Sequence, residues 1–113
     1  MRVSHLGYES LRTYRKAEKR LRKGRSVTFI GLGPSMEPII PHGTRMWWEP
    51  YRGQPIVAGM PLFTHFGKKH YSCHMAWMVS KTHVLICTTQ GYVEGWVRKN
   101  QILGLYLGEW KND

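Results

Sequence analysis

Ser26-Val27-Thr28-Phe29-Ile30 runs into Gly31-Leu32-Gly33 and then Pro34-Ser35-Met36-Glu37-Pro38. The first run, rich in β-branched and aromatic side chains, predicts a strand. The eight residues after it cannot continue that strand. Glycine opens backbone angles closed to other residues, while each proline fixes φ and removes an N–H donor. The residue ahead of each proline is pushed towards extended geometry. Ser35 is thereby set on a rigid, exposed bend. Such a bend can present a nucleophile, but it also builds ordinary turns, and the surrounding chain has to separate the two.

Downstream, short strands alternate with turn signals. Pro41-His42-Gly43 turns the chain into a strand over residues 44–49, and residues 50–59, with two prolines and two glycines, read as loop. Residues 60–66, the Gly67-Lys68-Lys69 tip and residues 70–79 read as one long β-hairpin. A turn at Ser80-Lys81-Thr82 leads to a strand over 83–88, a loop over 91–95 and a last strand over 101–107. The fold class expected is mainly β: a small coiled antiparallel sheet or partial barrel.

Upstream, Leu11, Tyr14, Ala17 and Leu21 recur at three- and four-residue steps, the stripe of one amphipathic helix over residues 8–23. Arg12, Arg15, Lys16, Lys19, Arg20, Arg22 and Lys23 surround the stripe, and Gly24 supplies a stop. The whole chain has 17 Lys/Arg against 7 Asp/Glu, a formal charge of +10. Residues 1–26 hold nine of those cations against Glu9 and Glu18. The expectation is therefore a basic helical arm over 1–25 ahead of a β domain over 26–113. Its basic face fits solvent with the stripe docked on the body, the phosphates of a nucleic acid, an anionic membrane surface or an acidic protein partner.

At 113 residues the length bounds one domain with a modest core. Five Trp, six Tyr and three Phe fit a folded protein rather than a disordered one. Cys73 and Cys87 make no disulfide framework and read as buried thiols in a reducing compartment. No run of 18 apolar residues suggests a membrane span, and the basic start lacks the apolar core of a secretory signal, so a soluble cytoplasmic protein is expected.

A serine becomes a nucleophile when a base takes its proton and donors meet the oxyanion. His5, His42, His65, His70 and His83 all flank turns or termini. His74 differs: Ser72-Cys73-His74-Met75-Ala76 places it mid-strand among small and apolar neighbours, where burial keeps imidazole neutral, as a general base requires. A core histidine satisfied by the sheet would look the same. Glu94 is the one well-placed acid beyond it, in the 91–95 loop; a solvated loop acid is the alternative. His65, His70, Cys73 and His74 cluster, but their spacing matches no closed zinc pattern and a strand points Cys73 and His74 to opposite faces. Neither a metal nor a cofactor is expected, since phosphate-cradling and dinucleotide glycine loops are also missing.

Gly33-Pro34-Ser35-Met36-Glu37-Pro38 resembles the G-x-S-M-x-P box of the signal peptidase and LexA-type serine peptidase superfamily. Further segments follow in that family's order over residues 27–107: Pro41-His42-Gly43 with the strand after it, residues 53–66, residues 71–79, Thr88-Thr89-Gln90-Gly91, and Gln101-Ile102-Leu103-Gly104-Leu105. The resemblance implies a coiled, mostly antiparallel sheet with Ser35 as nucleophile and His74 as general base, as in the Ser-His subtype. It also implies the Ser35 N–H as part of the oxyanion hole. Where the family has Gly-Asp, this chain has Gly43-Thr44, Gly59-Met60 and Gly91-Tyr92, and Glu94 would stand in for the aspartate. The function implied is a serine peptidase that cleaves a partner chain bound extended, and the small size and missing anchor fit a soluble, phage-encoded form of it. The alternative is an inactive module of the same fold, serving virion assembly or nucleic-acid binding through the basic residues.

Overall fold

In chain order the elements are β1 (Val3–Tyr8), α1 (Leu11–Arg22), β2 (Ser26–Ile30), β3 (Arg45–Pro50), β4 (Leu62–Gly67), β5 (His70–Ser72), β6 (Met75–Val79), β7 (His83–Cys87), β8 (Val93–Arg98) and β9 (Ile102–Glu109), with a 3-10 turn at Lys99–Gln101. They come from a computed structural model that describes residues 2–111. The chain is mainly β, as its sequence predicts. Six strands form one sheet in the order β1-β2-β3-β9-β4-β5, and β6-β7-β8 form a second.

The start of the chain departs from the sequence reading of a helical arm over 1–25. Residues 3–8 form a strand that pairs in parallel with β2, Val3 opposite Ser26 and His5 opposite Thr28. This β1–α1–β2 unit is the one parallel step in a sheet whose other pairings are antiparallel. Parallel neighbours need a long crossover, and α1 provides it. The helix begins at Leu11 because the Ser10 side chain accepts the Thr13 N–H at 3.1 Å as its N-cap. It ends at Gly24, whose φ of 82° suits glycine and whose N–H reaches the Leu21 carbonyl.

The helical stripe faces inward. Ala17 and Leu21 are buried with Phe29, Trp48 and Phe63, and Tyr14 packs on them at 5.9 Å from Phe29 and 5.7 Å from Phe63. Each large apolar side chain in that cluster contributes about 2 kcal/mol by leaving water. Arg12, Arg15, Lys16, Lys19, Arg22 and Lys23 stay on the exposed side. A second cluster, Leu62, Ala76, Val84, Ile86, Val97, Ile102 and Leu105, joins the two sheets.

The long hairpin expected over residues 60–79 is also divided. β4 and β5 pair as a hairpin in the first sheet, but the chain breaks at Cys73-His74 and re-enters the second sheet as β6. The break is held by the Leu62 N–H donating to the His74 carbonyl at 2.7 Å and the Ala76 N–H to Met60 at 2.9 Å. His74 therefore stands at the crossover between sheets, not mid-strand. Cys73 and Cys87 are both buried free thiols. Among the described residues no helix is long and apolar enough to cross a membrane.

Candidate active site

The bend that carries Ser35 is pinned on both sides. Met36 and Ile40 are buried in the main core, and the Ile40 N–H closes back on the Met36 carbonyl at 2.8 Å. From the second sheet's β7–β8 turn, the Thr89 N–H donates to the Ser35 carbonyl at 3.2 Å. The Thr89 hydroxyl donates to the Glu37 carbonyl at 2.6 Å, and the Gln90 amide to the Pro34 carbonyl at 3.2 Å. His42 accepts the Gly33 N–H at 2.8 Å. These contacts leave the Ser35 side chain facing His74.

Ser35 Oγ lies 3.0 Å from His74 Nε2. On the far side of the ring, His74 Nδ1 lies 2.7 Å from Glu94 Oε1. A carboxylate only accepts, so Nδ1 carries the proton and Nε2 is left with a lone pair for the Ser35 hydroxyl. The three residues expected from the sequence thus converge in one hydrogen-bonded chain.

Glu94 reaches the imidazole by a backbone irregularity. Gly95 pairs with Ile86 and Val93 with Cys87, so Glu94 has no partner across β7 and forms a bulge. Bulges re-aim side chains at functional sites. The acid is therefore a strand residue rather than the loop residue expected, and its side chain is only 16% exposed. Burial pushes its carboxyl pKa up, but hydrogen bonds from His74, Ser72 and His70 outweigh burial and hold it down at about 2. Glu94 is therefore ionised throughout the neutral range.

Ser72 and His70 complete this cluster, and neither was singled out as a site residue from the sequence. The Ser72 hydroxyl donates to Glu94 Oε1 at 2.6 Å, and His70 Nε2 lies 2.8 Å from Oε2. A signal for both was present: His70, Ser72 and His74 alternate, and alternate residues of an extended chain share a face. The other histidines lie elsewhere. His5 bonds Thr28 on β2, His65 joins Glu18 and stacks on Tyr71, and His83 bonds Thr82 in the β6–β7 turn. Among the described residues no three His, Cys, Asp or Glu side chains are grouped as metal ligands.

Beside Ser35 and His74 opens a pocket of about 320 Å³, walled by Met36, Ile40, Met46 and Tyr71. No family model, curated protein or solved structure matches this chain. What the site can do follows from its own atoms: a serine hydroxyl hydrogen-bonded to an imidazole, a half-buried carboxylate behind that ring, and an adjoining cavity.

Proposed function

We propose that the protein is a serine peptidase of the signal peptidase and LexA type, acting on a partner chain bound in extended form. The single observation that carries this reading is the Ser35–His74–Glu94 relay, with contacts of 3.0 Å and 2.7 Å. Ser35 Oγ attacks the peptide carbonyl as its proton passes to His74 Nε2. Glu94 stabilises the resulting imidazolium through Nδ1–H. The Ser35 N–H serves as a donor to the oxyanion. Collapse of the tetrahedral intermediate returns the proton from Nε2 to the leaving amine and leaves an acyl-Ser35 ester. A water molecule deprotonated by His74 then hydrolyses the ester and frees the serine.

Labelling with a small fluorophosphonate tests the reading. Wild type should form an adduct on Ser35, Ser35→Ala none, and His74→Ala should label at least about a hundredfold more slowly. Absence of any Ser35-dependent adduct, together with no hydrolysis across a peptide library, would overturn it.

A further inference from the structure

The pocket beside Ser35 holds a carboxylate that the relay does not use. Glu9, between β1 and α1, lines the pocket together with Met36 and Ile40. Its Oε1 accepts the Leu32 N–H at 2.6 Å and its Oε2 accepts the Tyr14 hydroxyl. Among the described residues no Lys, Arg or His forms an ion pair with Glu9, and no Lys or Arg lines the pocket. In a chain of net charge +10, this carboxylate beside Ser35 is thus held by neutral donors and, among the described residues, by no cation.

The side chains packed beside Glu9 are a thiol and a phenol. Burial, then the charge of Glu9 and a hydrogen bond to it, push the Cys73 thiol up. Burial also pushes the Tyr14 hydroxyl up, with Cys73 and Glu9 adding to it. Both therefore remain neutral, and neither adds a negative charge of its own that would repel Glu9. Gly31 keeps the wall open, because a Cβ there would come within 2.9 Å of the Met46 methyl and 3.5 Å of Glu9 Oε1. The cavity has apolar sides for an aliphatic stem and a volume of about 320 Å³, room for a long side chain.

We propose that Glu9 determines specificity at this site and that the pocket takes a cationic side chain, lysine or arginine, from the substrate residue whose carbonyl is attacked. This rests on Ser35 being the nucleophile. Glu9 also clasps the end of β2, since its N–H donates to the Ile30 carbonyl at 2.9 Å while its side chain holds Leu32. A purely structural Glu9 would serve only as that clasp, and the test separates clasp from charge.

The probes are two diphenyl phosphonates whose side chains differ by one group, 4-aminobutyl against butyl. In either probe Ser35 Oγ bonds to phosphorus, its proton passes to His74 Nε2 and phenoxide leaves. Wild type should react with the aminobutyl probe about tenfold faster or more, the range expected of a charge-assisted hydrogen bond in a sheltered site. Glu9→Gln keeps an acceptor for Leu32 but no charge, and should bring the ratio to about one. Glu9→Asp keeps the charge and should hold the ratio above one. On wild type, n-butylammonium should slow labelling by the small fluorophosphonate and 1-butanol should not. A wild-type ratio near or below one, or an unchanged ratio in Glu9→Gln, overturns the inference while leaving the peptidase reading intact. If the small fluorophosphonate does not label Ser35 and no peptide of a library is hydrolysed, the peptidase reading itself has failed.

Discussion

Glu94 has two separable effects because it is half-buried, ionised and shared by three donors. Its pKa of about 2 lies below the ordinary 4.5, so the folded state binds this proton less readily than the unfolded chain. The stability it contributes is fully present above about pH 4.5 and is lost as pH falls through 2. After solvent screening that contribution is about 2 kcal/mol. Glu94→Gln should therefore be less stable at neutral pH and show a flatter acid limb between pH 4.5 and 2 in denaturant titrations. Its kcat/KM should fall by about a hundredfold or more, because an amide can hold the ring but cannot stabilise an imidazolium. Equal acid limbs in wild type and variant would refute the stability assignment. Equal activity would remove Glu94 from the relay. Ser35 and His74 were legible in the sequence because proline, glycine and a histidine set among small and apolar neighbours leave local marks. Glu94 was legible only as the one acid left over, since the bulge that aims it depends on pairing with β7.

At the scale of elements, what sequence periodicity marks and what it misses has a physical pattern. β2 is legible because Val27, Phe29 and their neighbours are buried on both faces, which selects a continuous β-forming run. β1 is not, because it lies at the sheet edge and half of Val3–Tyr8 is exposed, so Gly7 and His5 dilute the alternation. The break at Cys73-His74 is silent for another reason: both flanking segments are strand-forming, and only the choice of sheet changes. The β7–β8 turn carries a positioning role of the same non-local kind. Thr89 ties the Ser35 loop to the second sheet by one N–H and one hydroxyl. Thr89→Val keeps the first and removes the second. We expect a stability loss of about 1 kcal/mol and a larger functional effect, roughly tenfold slower Ser35 labelling, because small displacements of a nucleophile are costly. A loss in thermal stability with an unchanged labelling rate would show that the turn supports the fold and not the serine.

Across the whole molecule, the relay is assembled from three regions that are distant in sequence. Ser35 follows β2 of the first sheet, Glu94 belongs to β8 of the second, and His74 occupies the crossover between them. The pocket adds a fourth, since Glu9 and Tyr14 come from the first 25 residues. That segment therefore completes both the core and the site, whatever else its exposed cations contact. Removing residues 1–25 would uncover the free edge of β2 and the packed faces of Phe29, Trp48 and Phe63. Tyr14, Ala17 and Leu21 would leave together. The loss of two large side chains at about 2 kcal/mol each, plus a strand pairing, is comparable with the 5–15 kcal/mol that holds an average domain folded. We predict that a chain beginning at residue 26 lacks a cooperative thermal transition and near-ultraviolet circular dichroism. The milder Leu21→Ala should remain folded but lose about 2–4 kcal/mol in urea titrations. A truncated chain that melts cooperatively near the wild-type temperature would restore the segment to an independent arm. It would also release Glu9 from the pocket, so that the preference for the aminobutyl over the butyl phosphonate would vanish in a chain that still labels at Ser35.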